Sequence, residues 1–232
     1  MKPLKMFLFG DSTMSYNSCL TYPQTGWGQV LPLFCTNFLT IVNLAKNGRS
    51  SKTFYEEGLY KPVLTELNPG DYVVIQFGHN DQKVNTERFT SPFGTYQEYL
   101  LKLINIVRNK GGIIILLSPI YRRYFDCGIL RPNVHLNYPD AMKALAKDEN
   151  VYYIDMTQLT FDLLKEVGDE RSKFLFMNLK PNQYINYPDG LVDNTHLVYE
   201  GAYQIARLFV ETAQVMIPNL DLYFNKKETS QL

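Results

Sequence analysis

Five short apolar runs, widely separated along the chain, most constrain how it can fold. They are rich in Val, Ile, Leu and Phe and lie near residues 4–10, 39–44, 71–77, 112–118 and 151–154. This composition is typical of strands in a sheet that is covered on both faces. Between the runs, apolar residues recur at helical intervals, most clearly in residues 95–109, 135–147 and 200–216. The alternation predicts an α/β fold built around a parallel sheet.

The size and charge of the chain predict one neutral globular domain. With 232 residues and 45% hydrophobic content, it can bury a single core, which we assign to residues 1–218. Residues 219–232 are predicted to form a polar tail, and residues 121–132 and 168–191 to form surface excursions. Its 23 basic and 23 acidic residues balance, so neither a nucleic-acid partner nor an anionic membrane is expected.

Cysteine usage and the amino terminus bear on cellular location. The three cysteines, Cys19, Cys35 and Cys127, are odd in number and lack the paired spacing of zinc or redox motifs, so free thiols are expected. The apolar run after Lys5 is short for a signal sequence, and no stretch has the length of a membrane span. A cytoplasmic location is the default expectation, with secretion of a processed form as the alternative.

The first apolar run stops at Gly10-Asp11-Ser12-Thr13, which makes Ser12 a candidate nucleophile. Ligands of open α/β sheets bind at the carboxyl ends of strands, where this hydroxyl should lie. A serine needs an imidazole to accept its proton and a third group to orient that imidazole. The alternative is that Ser12 is only a turn or helix-cap residue.

The candidate base is His196, in Asp193-Asn194-Thr195-His196. Asp193 and His196 are three positions apart and are expected to meet on one turn, so that the carboxylate accepts a hydrogen bond from Nδ1–H and leaves Nε2 for Ser12. The alternatives are a structural histidine and an aspartate that caps the last helix.

Two further strand ends offer hydrogen-bond donors for an oxyanion. Asn80 follows the third run, in Gly78-His79-Asn80-Asp81, and Gly48 follows the second. An amide side chain and a backbone N–H freed by the absence of a Cβ both suit that task, as does the N–H of Ser12. For Asn80 the alternative is an Asx turn that closes its loop.

Along the chain, the blocks that contain Ser12, Gly48, Asn80 and His196 follow one another in that order. They resemble the four blocks of the SGNH, or GDSL, hydrolase superfamily. Five stretches are similar to its rhamnogalacturonan acetylesterase branch: Gly10-Asp11-Ser12-Thr13, Gly26-Trp27-Gly28, Asn47-Gly48-Arg49-Ser50, Gln76-Phe77-Gly78-His79-Asn80-Asp81 and Asp193-Asn194-Thr195-His196. The resemblance implies a three-layer α/β/α sandwich with a five-stranded parallel sheet in flavodoxin-like order. It also implies a serine esterase without metal or cofactor that removes O-acetyl groups from carbohydrate, most specifically pectic rhamnogalacturonan fragments.

The excursions are expected to reach the same edge of the sheet as Ser12 and to contact an acetylated oligosaccharide or polysaccharide. Tyr184 and Tyr187 are candidates for sugar stacking, and Arg122 for a polar contact. Two other functions stay open: a lipase or thioesterase of the same superfamily, and a catalytically silent carbohydrate-binding protein. The set of Ser, His, Asp and oxyanion donors argues against the silent protein, which would not need it. The sequence leaves the oligomeric state open.

Overall fold

The computed structural model describes residues 1–225, in which the predicted parallel sheet is present. Its five strands are β1 (Leu4–Gly10), β2 (Leu39–Asn43), β3 (Tyr72–Gln76), β4 (Ile113–Leu117) and β7 (Tyr152–Ile154). All four strand pairings are parallel, and the strand order is β2-β1-β3-β4-β7. This is the flavodoxin-like order, so the predicted fold class is confirmed.

Helices cover both faces of the sheet. They are α1 (Trp27–Val30), α2 (Ser51–Glu56), α3 (Pro62–Glu66), α4 (Gln97–Asn109), α5 (Tyr138–Asp148), α6 (Met156–Val167), α7 (Asp169–Ser172) and α8 (Tyr199–Met216). Successive strand residues point to opposite faces, and the buried side chains accordingly form two clusters. One cluster joins the sheet to α1, α6 and α8, and the other joins it to α2, α3, α4 and α5. The result is a three-layer α/β/α sandwich.

The start of α5 differs from the prediction by a few residues. We expected a helix from residue 135, but α5 begins at Tyr138. Asn133 and Leu136 have positive φ values, which an α-helix does not accommodate, and a proline stands in the first helical turn.

Both predicted excursions contain regular structure. The first holds a short hairpin of β5 (Phe125–Asp126) and β6 (Ile129–Leu130). The second holds α7 and β8 (Phe176–Leu179), which pairs antiparallel with β9 (Leu191–Leu197). The sequence did not predict these strands because β5 and β6 have two residues each and β8 has four. The expectation that the second excursion lies on the surface is wrong for Phe176, Met177 and Leu179, whose side chains are buried.

The predicted polar tail is also wrong for residues 219–225. A short 3₁₀ helix, Leu220–Tyr223, turns the chain back toward the domain, and Phe224 forms a β-bridge with Cys35. Leu220, Tyr223 and Phe224 are buried in the cluster around α8. Burial of these apolar side chains outweighs the polar character of the segment as a whole. The rest of the predicted tail, residues 226–232, lies outside the described residues.

Candidate active site

Ser12 lies in the turn that follows β1, which is an interior strand of the sheet. The turn is held by Asp11, whose Oδ1 accepts hydrogen bonds from the Thr13 backbone N–H and the Thr13 hydroxyl, both at 2.9 Å. The Asp11 carbonyl accepts from Met14 and Ser15. These bonds fix the backbone on both sides of Ser12, so the Ser12 hydroxyl is held at the carboxyl edge of the sheet.

The structure brings Ser12, His196 and Asp193 into one hydrogen-bonded chain. Ser12 Oγ is 2.8 Å from His196 Nε2, and His196 Nδ1 is 2.6 Å from Asp193 Oδ2. Because a carboxylate only accepts, Nδ1 carries the proton and Nε2 is free to accept the hydroxyl proton of Ser12. This is the relationship of nucleophile, base and orienting acid that activates a serine.

Hydrogen bonds keep the Asp193 carboxylate ionised. Partial burial works against its charge, but the His196 ring and the backbone N–H groups of His196 and Thr195 donate to it. Together they lower the pKa of Asp193 to about 2. The carboxylate is therefore available at neutral pH to hold the imidazole and to stabilise its protonated form.

The expected single turn is instead an irregular strand. Asp193 and His196 belong to β9, where residues three apart would point to opposite faces if the strand were regular. The register with β8 shifts between Phe176 and Asn178. Asp193 Oδ1 also accepts hydrogen bonds from the backbone N–H groups of Thr195 and His196. This local irregularity in the β8–β9 pairing allows the side chains of Asp193 and His196 to contact each other. Asp193 does not cap α8, whose N-cap residue is Val198.

Arg123 anchors the β9 segment, and the sequence did not indicate it. Its guanidinium is buried and donates to the Asn194 side chain at 3.0 Å, to the Ser172 hydroxyl and to Asp169. The Arg123 N–H also donates to the Asn194 carbonyl at 2.9 Å. Since Asn194 follows Asp193 directly, Arg123 is a positioning residue for the Asp193–His196 pair. An arginine in a polar stretch gives no sequence signal of burial, because most arginines are exposed.

The three predicted oxyanion donors follow β1, β2 and β3, and each has a hydrogen available for a ligand. Within residues 1–225, the backbone N–H groups of Ser12 and Gly48 have no acceptor. Gly48 has a φ of 77°, which a residue with a Cβ would adopt only under strain. The buried Asn80 amide donates to the Arg49 carbonyl at 3.0 Å, which leaves its second hydrogen for a ligand.

The loops that carry these donors are joined to one another. Asn47, next to Gly48, accepts from the Ser15 hydroxyl and donates to Asn17 at 3.0 Å. The Gly26-Trp27-Gly28 stretch packs under the same turn, and a Cβ on Gly26 would overlap the carbonyl oxygen of Ser15. These contacts therefore hold the turn after β1 and the loop after β2 at a fixed distance from each other.

Asp81 organises the loop that presents Asn80. Its Oδ1 accepts from the Ser51 N–H, the Ser51 hydroxyl and the Thr90 hydroxyl, while its Oδ2 has no partner among the described residues. Burial raises the pKa of Asp81 to about 7, although these three donors oppose the rise. Asp81 acts on the loop rather than on a substrate, because it is fully buried.

The predicted substrate contacts lie near the hydrogen-bonded chain but are already engaged with protein groups. Tyr184 packs edge-on against Tyr22 with ring centroids 5.6 Å apart, and the Tyr187 hydroxyl donates to the Thr21 carbonyl at 3.3 Å. Burial and, after it, the charge of Asp193 raise the pKa of Tyr187, in keeping with its position beside Asp193. Both tyrosines are partly exposed.

Arg122 reaches the edge of the sheet beside Asn80 and is fixed there by His79. Its Nε donates to His79 Nδ1 at 3.2 Å and its Nη2 donates to the His79 carbonyl at 3.1 Å. Burial, together with the positive charges of its neighbours, lowers the pKa of His79 well below its usual value. His79 is therefore neutral and accepts from Arg122 at Nδ1.

Residues 1–225 contain no group of three or more His, Cys, Asp or Glu side chains placed to hold a metal ion. None of the helices in the same range has the length and apolar character needed to cross a bilayer.

The sequence profile of the GDSL-like lipase/acylhydrolase family matches residues 8–185. The chain belongs to this family. Among related proteins, the rhamnogalacturonan acetylesterase RhgT of Bacillus subtilis is 41% identical over 210 residues, covering 90% of this chain and 89% of that protein. The probable rhamnogalacturonan acetylesterase YesY of Bacillus subtilis is 36% identical over 204 residues, covering 88% and 89%. This GDSL-family protein is therefore a carboxylic ester hydrolase.

Solved structures agree with the fold. The crystal structure of YxiM of Bacillus subtilis superposes with a TM-score of 0.80 at 27% identity, over 94% of this chain and 58% of that one. The acetylxylan esterase Axe2 of Geobacillus stearothermophilus gives a TM-score of 0.61 at 16% identity, over 90% and 94%. At that identity, the second comparison supports only the shared α/β fold.

Proposed function

We propose that this GDSL-family hydrolase is a carbohydrate O-acetylesterase that acts on acetylated pectic fragments of the rhamnogalacturonan type. The hydrogen-bonded chain from Ser12 through His196 to Asp193 is the observation that carries the proposal. The names of the relatives RhgT and YesY supply the acyl group and the class of polysaccharide.

The first half of the proposed reaction transfers the acetyl group to Ser12. Ser12 Oγ attacks the acetyl carbonyl carbon while its proton passes to His196 Nε2, 2.8 Å away. The tetrahedral intermediate then collapses, the bond from carbon to the sugar oxygen breaks, and Nε2 returns the proton to that oxygen. Asp193 holds the ring throughout and stabilises its positive charge.

The second half releases acetate. Water gives a proton to His196 Nε2 and attacks the acetyl-serine carbonyl carbon, and Ser12 recovers its proton as acetate departs. In both halves, the negative oxygen would be held by the N–H groups of Ser12 and Gly48 and by the Asn80 amide. Because these donors are fixed before the reaction, they stabilise the transition state without reorganising.

An aromatic groove next to the Ser12 turn supports a saccharide substrate. The groove has a volume of about 670 Å³, and its lining includes Tyr16, Tyr22 and Tyr199, all exposed, together with Gln24 and Gln29. Tyrosine rings beside amide groups are suited to bind sugar faces and hydroxyls. Tyr184 packs on Tyr22 at this groove, so we propose that Tyr184 and Tyr187 shape it for an extended chain.

The contribution of the tyrosines is tested with Tyr187→Ala. We expect acetate release from polymeric substrate to fall while turnover of 4-nitrophenyl acetate is retained, because a small ester does not reach the groove. Initial rates on both substrates measure this. Equal losses on both, or no loss on either, would remove Tyr187 from the substrate contacts.

The function itself is tested by measuring acetate release from acetylated rhamnogalacturonan, acetylated xylan and long-chain acyl esters. We expect the highest kcat/KM on rhamnogalacturonan, and loss of activity in Ser12→Ala with the fold retained by circular dichroism. Preference for long-chain esters would instead indicate a lipase, and preference for xylan would indicate another carbohydrate esterase. Full activity of Ser12→Ala would contradict the mechanism.

A further inference from the structure

Three side chains that the proposed reaction does not use join the loop after β3 to the segment after β4. Arg122 belongs to the segment after β4, His79 directly precedes Asn80, and His135 lies just before α5. Both histidines are buried, and the Arg122 side chain is half-buried beside them. Buried polar side chains that bond to one another rigidify the segments that carry them. The contacts among these three residues therefore bear on how the Asn80 loop is held.

Arg122 binds His79 at two points. Its Nε donates to the ring Nδ1 at 3.2 Å, and its Nη2 donates to the backbone carbonyl at 3.1 Å. That carbonyl belongs to the planar peptide unit that joins His79 to Asn80. Because a guanidinium is a rigid fork, the two bonds together fix the orientation of this peptide unit. The Asn80 side chain leaves the backbone at the next atom, so its direction depends on that orientation.

His135 closes the arrangement from the other side of His79. The two imidazole rings pack edge to face, with centroids 4.7 Å apart and planes at 88°. His135 Nε2 is 2.7 Å from the Ile120 carbonyl, and because a carbonyl only accepts, Nε2 carries the proton. Ile120 is two residues before Arg122 in the chain. The contacts therefore form a closed circuit from Arg122 through both histidines and back to the segment that carries Arg122.

The circuit contains one cation and two neutral rings. Burial and, after it, the charge of Arg122 lower the pKa of His135 to about 3, although its hydrogen bond to Ile120 opposes this shift. His79 is neutral as well, so both rings lie beside the guanidinium without charge repulsion. No ion pair within residues 1–225 involves Arg122, and its Nη1 is 3.4 Å from the Tyr124 hydroxyl. His79 is thus the main partner of Arg122.

The backbone on the two sides of Asn80 is held by different contacts. On the carboxyl side, Asp81 accepts from Ser51 and Thr90. On the amino side, His79 follows Gly78, which has a φ of 145° and lies against Pro119. A glycine restricts the following peptide little, because it has no Cβ to exclude other conformations. Arg122 therefore supplies the restraint that the backbone before Asn80 lacks.

From this arrangement we infer that Arg122 and His79 are positioning residues that direct the Asn80 amide toward the oxyanion, with His135 holding His79 in place. The inference rests on the proposed oxyanion role of Asn80. It gives Arg122 a task in the reaction itself, distinct from the sugar contact predicted from the sequence. Without Arg122, the amide could keep its bond to Arg49 while the peptide before it rotates. Misplacement of a group in an active site by about 1 Å can cost roughly 10²-fold in rate.

Turnover of 4-nitrophenyl acetate tests the inference, because this ester carries no sugar. We expect Arg122→Ala to lower kcat roughly tenfold with little change in KM. In the Asn80→Ala background, the same change should lower kcat by less than about twofold, because the amide that Arg122 positions is already absent. An arginine that contacts only sugar would leave kcat on this ester unchanged. A change that merely destabilises the protein would act equally in both backgrounds.

Two conservative variants separate hydrogen bonding from folding. His79→Asn keeps an acceptor, Oδ1, in the place of Nδ1 and should retain most of the kcat that His79→Ala loses. Arg122→Lys keeps the charge without the fork and should lose part of kcat, again only when Asn80 is present. It replaces Arg122→Ala in the comparison if circular dichroism shows that the alanine variant is unfolded.

Arg131→Gln is the matched control, since Arg131 is exposed on the same segment and pairs only with Asp126. It should leave kcat unchanged. Native kcat in both Arg122 variants, or the same loss with and without the Asn80 amide, would overturn the inference. Turnover of 4-nitrophenyl acetate together with no acetate release from acetylated rhamnogalacturonan would instead contradict the proposed function, and it would leave the positioning role of Arg122 intact.

Discussion

In the proposed reaction Asn80 donates one amide hydrogen to the oxyanion, so its removal should affect the reaction far more than the fold. The loss of one oxyanion donor typically costs about 2.7–4 kcal/mol of transition-state stabilisation. We therefore expect Asn80→Ala to lower kcat by roughly 10²–10³, measured by acetate release at saturating substrate. Asn105→Ala, an exposed change on α4, is the control and should retain full activity. An unchanged kcat in Asn80→Ala would remove Asn80 from the oxyanion site.

Asp81 should make the stability of the domain depend on pH. Its pKa is raised from 3.8 to about 7, so the folded state holds a proton that the unfolded state has released between these values. Stability from this group is thus fully present below pH 4 and is lost as pH rises to about 7. The slope for one proton is at most about 1.4 kcal/mol per pH unit.

Urea unfolding, followed by the fluorescence of the single tryptophan, Trp27, measures this dependence in the native protein and in Asp81→Asn. We expect the free energy of unfolding of the native protein to fall relative to the variant between pH 4 and 7, and the difference to level off above pH 7. A difference that stays constant over the whole range would contradict the raised pKa.

At the scale of secondary structure elements, Arg123 connects the segment after β4 to α7 and β9. Arg123→Ala would leave Asn194 and Asp169 without their partner, and we expect it to lower the free energy of unfolding by about 3 kcal/mol. It should also lower kcat, because the strand that holds Asp193 and His196 loses its anchor. Chemical denaturation and acetate release provide the two measurements.

Arg131→Ala is the control for Arg123. Arg131 forms an exposed ion pair with Asp126 on the β5–β6 hairpin, so its loss should cost at most about 1 kcal/mol. Arg123→Lys should restore only part of the stability, because an ammonium cannot form the fork of hydrogen bonds that Arg123 makes. Native stability and kcat in Arg123→Ala would show that β9 is positioned by other contacts.

The elements also show what the sequence could predict. The central strands were predictable because each is a buried apolar run, and Ser12, Gly48 and Asn80 because each follows one of those runs. The β8–β9 hairpin could not be predicted from the sequence. Residues 193–196 are a polar stretch, and their strand conformation depends on pairing with β8 in an irregular register. The side chains that meet Ser12 were predicted, but the backbone that brings them there was not.

At the scale of the whole molecule, strand order explains how distant residues form one site. Since β1 lies between β2 and β3, the chain passes to one side of β1 and then to the other, and the carboxyl ends of the three strands form a crevice. Ser12, Gly48 and Asn80 follow these three strands, and β9 brings His196 across from the far end of the chain. The groove depends on loop positions that sequence periodicity does not specify.

The C-terminal segment should stabilise the whole domain. Phe224 is buried against Phe209 of α8, with ring centroids 6.4 Å apart. We expect Phe224→Ala to lower the free energy of unfolding by about 3–5 kcal/mol, whereas Leu222→Ala, at a half-exposed position, should change it by about 0.5 kcal/mol or less. Urea denaturation compares the two variants. Equal, small effects would mean that this segment is not part of the core.

We propose that Ser12, activated by His196 and Asp193, is the nucleophile of this ester hydrolase. The most direct measurement is to treat the native enzyme with a serine-directed phosphonate and to locate the adduct by mass spectrometry of its peptides. We expect one adduct, on Ser12, with loss of acetate release in proportion to labelling, and much slower labelling in His196→Ala. An adduct on another residue, or full activity after Ser12 is completely labelled, would contradict it.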